Sequence, residues 1–169
     1  IPSSVTSIGG YAFYKCTSLT SIKIPESVTS IGDGAFKFCT ELKSISLPQG
    51  ITSIGNEVFS YCANLDSITI PDAVTSIGDE AFYNCQKFTS IKIPDNVTTI
   101  GEYAFSACSE LIKVILPEGV TSLGEGVFYR CSDLPSITIP NSVTYIGIGA
   151  FAQCSSLDTV VIPEKITEI

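Results

Sequence analysis

The sequence contains no histidine, no methionine and no tryptophan. Without histidine, no Ser-His-Asp or Cys-His nucleophile system, no histidine metal site and no imidazole acid–base step can be assembled. Basic residues are scarce. Nine Lys and Arg stand against 17 Asp and Glu, a net charge of −8, whereas DNA, RNA and anionic membrane surfaces call for a basic footprint. No apolar run approaches the roughly 20 residues of a membrane-spanning helix. No phosphate-binding Walker loop is present. Gly124-Glu125-Gly126 and Gly147-Ile148-Gly149 lack the third glycine and the preceding buried strand of a dinucleotide fingerprint, and read as turn glycines.

What the sequence does have is one phrase, repeated. Of its 169 residues 44% are hydrophobic, ample for one globular domain or one repeat array and too many for disorder. Proline recurs at 2, 25, 48, 71, 94, 117, 140 and 163, glycine at 9, 32, 55, 78, 101, 124 and 147, phenylalanine at 13, 36, 59, 82, 105, 128 and 151, and cysteine at 16, 39, 62, 85, 108, 131 and 154. Seven units of 23 residues fill 1–161 without insertion or deletion, and a partial eighth runs from Ile162 to Ile169. A strict period of this length marks a solenoid. Residues 1–169 are expected to form a single solenoid, uncapped at both ends and cut from a longer chain. Val5, Ile8 and Phe13 at one end, and Ile162, Ile166 and Ile169 at the other, are expected to lack a covering neighbour and to fray or associate end to end.

One unit shows the local structure. In Leu42-x-x-Ile45-x-Leu47, apolar residues alternate with Ser44 and Ser46, the period of a short strand with one face inward. Pro48, which has no backbone donor, stops it. Ile51 to Ile54 is a second extended piece rich in β-branched residues, ended by Gly55. Val58, Phe59, Cys62 and Leu65 then follow the apolar spacing of one or two helical turns. The expected fold is an α/β solenoid of seven units with a parallel sheet on one side and short helical turns on the other. A single unit cannot bury its own apolar face, so the units must stack.

The phrase Leu-x-x-Ile-x-Ile-Pro-x-x-Val-Thr-x-Ile-Gly-x-x-Ala-Phe-x-x-Cys resembles the BspA-like, treponemal-type leucine-rich repeat. The likeness covers the whole chain. Departures are small: Phe88 stands in the leucine column, and Val58 and Val127 in the alanine column. The resemblance implies a curved solenoid with its Leu-x-x-Ile-x-Ile strands on the concave side. It also implies secreted or cell-surface proteins of bacteria or protozoan parasites that adhere to host proteins, cells or other microbes.

The remaining columns favour structural roles. Zinc sites need cysteines in close pairs, and here every gap is 23 residues. Stacked thiols about 5 Å apart and pointing in parallel have poor disulfide geometry, so all seven cysteines are expected free and buried. The acidic columns Glu26, Asp72, Asp95, Glu118, Glu164 and Asp33, Asp79, Glu102, Glu125 lack the dense spacing of a calcium loop and read as a solvated rim. A repeated column also lacks the singular carboxylate pair of a glycosidase. The threonine column from Thr6 to Thr167 could be an ordered-water surface, but adjacent Thr-Ser pairs would face different ways, which favours β-propensity and side-chain-to-backbone bonding. Asn96-Val97-Thr98 matches a glycosylation sequon once, as chance allows.

The outward positions of the longer strands are Ser21/Lys23, Ser44/Ser46, Ser67/Thr69, Ser90/Lys92, Lys113/Ile115, Ser136/Thr138 and Thr159/Val161. This face is rich in hydroxyls and weakly basic, and Ile115 and Val161 break its polar habit. Lys92, Lys113, Ile115, Thr138 and Val161 are therefore the candidate partner-binding residues, suited to an acidic protein or glycan. The sequence implies no catalytic residue, no metal and no cofactor. The expected function is a non-enzymatic, adhesin-like protein-binding scaffold. The alternative is a stiff spacer displaying another domain, favoured by the Ser/Thr uniformity of the first half of the face.

Overall fold

The computed structural model describes residues 1–166, and among them it contains 14 short strands and no α-helix. Two kinds of strand alternate. The three-residue strands are β2 (Ser21–Lys23), β4 (Ser44–Ser46), β6 (Ser67–Thr69), β8 (Ser90–Lys92), β10 (Lys113–Ile115), β12 (Ser136–Thr138) and β14 (Thr159–Val161). The two-residue strands are β1 (Ser7–Ile8), β3 (Ser30–Ile31), β5 (Ser53–Ile54), β7 (Ser76–Ile77), β9 (Thr99–Ile100), β11 (Ser122–Leu123) and β13 (Tyr145–Ile146). Every pairing is parallel and joins residues one repeat apart, such as Ile45 with Ile68 and Ile54 with Ile77. The alternation of side chains then does what period-two patterning requires. Ile45 is buried while Ser44 and Ser46 are exposed.

The expected short helical turns are not there. The spacing of Val58, Phe59, Cys62 and Leu65 does suit a helical face, and all four are buried. However, Glu57, just before Val58, and Tyr61, just before Cys62, take left-handed conformations, with φ of 57° and 61°. The same two positions are left-handed in all seven units. A left-handed residue cannot sit inside a right-handed helix and costs roughly 1–2 kcal/mol when it carries a Cβ. The cost is offset by hydrogen bonds between units. The amides of Glu57, Phe59 and Tyr61 donate to the carbonyls of Asp79, Ala81 and Tyr83 in the next unit at 2.8, 2.8 and 2.7 Å. The intervening Ser60 and Cys62 amides donate back three residues, to Glu57 and Phe59, at 3.1 Å each. The segment is thus a run of tight turns whose alternate amides form a third ladder. An α-helix would direct every amide along its own axis and leave this side of the solenoid without bonds between units.

Inside the ladders the core is a stack of columns. Consecutive rings from Phe13 to Phe151 lie 5.1 to 5.9 Å apart and within 16° of parallel. Phe88 adds a further ring, stacked on Phe82 at 5.6 Å. The cysteine column has its own bond. The Cys62 thiol donates to the Phe36 carbonyl at 3.2 Å, and the same Cys-to-Phe step runs from Cys39 to Cys154 at 3.0 to 3.2 Å. A thiol here packs as a small apolar group and still satisfies a carbonyl lone pair. The threonine column works similarly: Thr75 and Thr144 hydroxyls donate to Thr52 and Thr121 carbonyls at 3.2 Å each.

Position along the stack decides burial. Phe36 and Phe128 are fully buried, whereas Phe13 and Phe151, one unit further out, are half-buried, as are Val5, Ile162 and Ile166. Ile8, expected to lack cover, is in fact buried, and Ile169 lies outside the described residues. Cys16 corrects another expectation. It is exposed in the first described unit, while the other six cysteines are buried and all seven are free.

Burial holds the inner thiols in the neutral form. It pushes the Cys39 thiol up to about 11 and the Cys108 thiol up to about 12, and holds Cys62, Cys85 and Cys131 well above the ordinary thiol value. Thiolate is the reactive species. A disulfide-exchange reagent at neutral pH is therefore expected to label one cysteine quickly, Cys16, and the other six only after denaturant is added. Fast labelling of two or more in the native protein would contradict the buried column.

Candidate functional site

The longer strands do not form one uninterrupted sheet. They fall into β2–β4–β6, β8–β10 and β12–β14. The reason for the second interruption lies one residue before each strand. At that position the amides of Lys43, Asp66, Ile112 and Asp158 each donate to the carbonyl one repeat earlier, at 2.9 to 3.2 Å. Residue 135 would do the same toward Ile112, but it is proline, which has no N–H. The first interruption coincides with Phe88, an aromatic in the leucine column, directly before Thr89, whose amide would be the donor to Asp66.

The grooves on this face follow the interruptions. Between β10 and β12 lies a groove of about 380 Å³ lined by Lys113, Ile115 and Thr138 together with Ile112, Glu118 and Pro140. A second, of about 500 Å³, adjoins it and shares Thr138, Glu118 and Pro140, with Val161 and Lys165 on its far side. Four of the five residues singled out in the sequence thus line one continuous trough. Lys92 is directly paired with Ile115 in the β8–β10 register. It lines a different groove of about 270 Å³, with Thr69, Ile70 and Asp72, at the break between β6 and β8. Lys113 pairs with Ser90, so the two lysines occupy different columns, one strand apart.

Exposure agrees with outward orientation. Ile115 is 43% exposed and Val161 52%. Ile112, at 56% exposed, also lines the trough and was missed by alternation alone because it precedes the strand. Its signal was in the sequence: the equivalent residues are Thr20, Lys43, Asp66, Thr89, Pro135 and Asp158, so Ile112 is the one aliphatic side chain in a column that is polar apart from Pro135. Glu118 gives both grooves an acid, with Lys113 in the lining of the first and Lys165 in that of the second. No cluster of three or more metal-ligating side chains occurs among the described residues.

The model of the BspA-type leucine-rich-repeat region matches residues 1–85 and 52–169, in six copies. The chain belongs to the BspA-type leucine-rich-repeat family. Solved structures agree. A leucine-rich repeat protein from Bacteroides ovatus is 41% identical with a TM-score of 0.93, over 96% of this chain and 42% of that one. The leucine-rich repeat protein of T. pallidum is 33% identical with a TM-score of 0.84, over 93% of this chain and 76% of that one. A leucine-rich repeat protein from Eubacterium ventriosum is 28% identical with a TM-score of 0.68, over 96% and 54%. This BspA-type chain therefore spans less than half the length of the Bacteroides ovatus protein. No curated protein matches it. No helix among the described residues is long and apolar enough to cross a membrane.

The role assigned to Pro135 can be checked in this BspA-type solenoid. Pro135→Ala supplies the missing donor, and the new amide at position 135 is expected to exchange slowly with solvent, like that of Asp66. An amide there exchanging at the rate of an open loop would show that the missing N–H is not what interrupts the sheet.

Proposed function

We propose that this solenoid is a non-enzymatic protein-binding scaffold, displayed at a cell surface or secreted, and that it acts as an adhesin through its three-residue-strand face. The observation that carries the reading is the trough at the proline-interrupted end of that face. Exposed Ile112, Ile115 and Val161 lie beside Lys113 and Lys165, with the Thr138 hydroxyl between them. Scattered exposed hydrocarbons are ordinary on a protein surface. Two in one groove and a third in the groove that adjoins it, with a lysine in the lining of each, form an anchor of the kind that carries binding energy at protein interfaces. The basic side chains suit an acidic patch on a host extracellular protein. The net charge of −8 opposes long-range approach of such a partner, so association should be slow and affinity modest.

The test uses beads coated with the chain and a cultured epithelial monolayer as the adhesive surface. The double variant Lys113→Glu/Ile115→Glu is expected to lose attachment while keeping its thermal unfolding midpoint, because both side chains point outward. The triple variant Glu26→Lys/Asp72→Lys/Asp95→Lys, on the acidic rim, is expected to attach as before. Loss in the rim variant with full attachment of the double variant would move the site to the rim. The stiff-spacer reading rests on the Ser/Thr-rich first half of the face, from Ser21 to Thr69. It predicts that beads coated with the unaltered chain do not attach at all.

A further inference from the structure

The greatest variety between units lies on the opposite side, at the second left-handed position of the turn segment. The residues there are Lys15, Phe38, Tyr61, Asn84, Ala107, Arg130 and Gln153, with φ between 58° and 62°. At the first left-handed position Gly34, Gly126 and Gly149 appear, as conformation alone would favour. At the second there is no glycine, and only Asn84 belongs to a residue type that tolerates this region well. Seven different side chains are held at a strained backbone position, and all are at least partly exposed. The backbone conformation serves the ladder from Lys15 to Arg130, so the side chain at this position is left to vary.

At one place this column opens. Ala107 is the smallest of the seven, and beside it lies a notch of about 320 Å³ lined by Asn84, Gln86, Ser109, Arg130, Ser132 and Gln153. That volume is within the roughly 300–1,000 Å³ range of small-ligand sites. Its chemistry is uniform: primary amides, hydroxyls and one guanidinium, with no acid in the lining. Arg130 is the sole arginine of the chain. Its Nε–H donates to Gln153 Oε1 at 2.8 Å, and its guanidinium carbon lies 5.3 Å from the centre of the Tyr129 ring. It has no carboxylate partner among the described residues, since the two ion pairs there are Lys37–Glu57 and Lys87–Glu110. Its remaining N–H donors are thus pre-oriented and free for a planar acceptor.

We propose that this notch on the turn face binds the acidic sugar unit of a glycan, with Arg130 pairing its carboxylate and Asn84, Gln86, Gln153, Ser109 and Ser132 meeting its hydroxyls. The carboxylate accounts for the unpartnered guanidinium in an otherwise acidic protein. Gln86 Nε2 donates to Asn84 Oδ1 at 3.1 Å and Ser132 Oγ to the Ser109 carbonyl at 3.2 Å, which leaves the Asn84 and Gln153 amide N–H groups and the Gln86 carbonyl to meet the sugar hydroxyls. Free uronic and sialic acids share this chemistry. The site is independent of the strand-face reading and lies on the other side of each unit.

The test follows backbone amide and Arg130 side-chain NMR resonances during titration with glucuronic acid, N-acetylneuraminic acid, glucose, acetate and a short glycine peptide, each to about 10 mM. Saturable shifts at Ala107, Ser109 and Arg130 with at least one acidic sugar, and none with acetate, are expected. The sugar that shifts them identifies the source of the carboxylate. Arg130→Gln should weaken binding at least about tenfold by removing the charge-assisted bonds. Ala107→Tyr should abolish it by filling the notch, without unfolding the chain, because Tyr61 already occupies the equivalent position two units earlier with the same backbone conformation. Lys113→Glu/Ile115→Glu should leave it unchanged. Equal shifts with acetate or the peptide, shifts that survive Arg130→Gln, or no shift with either acidic sugar would overturn the proposal.

Discussion

Every level of this structure depends on hydrogen bonds made between units rather than within them. A 23-residue unit has no element long enough to stand alone; its strands are two and three residues long, far below what an isolated hairpin or helix needs. The backbone satisfies itself by pointing amides along the solenoid axis. On the short-strand side Thr75 and Gly78 donate to Thr52 and Ile54 of the preceding unit, at 2.9 and 2.8 Å. On the turn side Glu57, Phe59 and Tyr61 donate to the following unit. Each such bond contributes about 0.5–1.5 kcal/mol net, and several per interface hold neighbouring units in register. Stability of this kind is nearest-neighbour in character, which is why the outermost phenylalanines are only half-buried while the inner ones are sealed.

The strict 23-residue period follows from the same constraint. An inserted residue would shift a whole ladder out of register and separate stacked Phe and Cys columns. Glycine is required where the backbones come closest. A Cβ on Gly32 would sit 2.4 Å from the Gly10 nitrogen, and one on Gly147 would sit 2.5 Å from the Glu125 nitrogen. Side chains vary most where they point away from the core, whatever their amides do in the ladders. The outward strand residues and the left-handed turn residues are among these positions, and they carry the two proposed binding surfaces.

Much of this was legible in the sequence, because the period exposes each column's tolerance directly. The proline, glycine, phenylalanine and cysteine columns mark strand ends, tight turns and core. The outward direction of Lys113, Ile115, Thr138 and Val161 follows from alternation. The turn segment differs from its expected helical form because apolar spacing reports which residues face inward, not where their amides go. Val58, Phe59, Cys62 and Leu65 can face the core from a helix or from successive tight turns. What tells them apart is the left-handed backbone at Glu57 and Tyr61, residue types that do not announce it. Gly34, Gly126 and Gly149 at the equivalent first position were the available hint. The trough was half legible. Pro135, the one proline outside its column, signals a missing donor, but the grooves beside it require three dimensions. The polar notch depends on Ala107 being small between Asn84 and Arg130, a relation across 23-residue steps that appears only once the units are stacked.

The account rests on the turn-side ladder, and that ladder can be observed bond by bond. Couplings transmitted through hydrogen bonds, from amide nitrogen to carbonyl carbon, report donor and acceptor directly in an isotope-labelled sample. The predicted result is a set of couplings from the amides of Glu57, Phe59 and Tyr61 to the carbonyls of Asp79, Ala81 and Tyr83, repeated one unit on. Couplings from these amides to carbonyls four residues earlier in the same unit would mean that the segment is a helix, and would contradict the account.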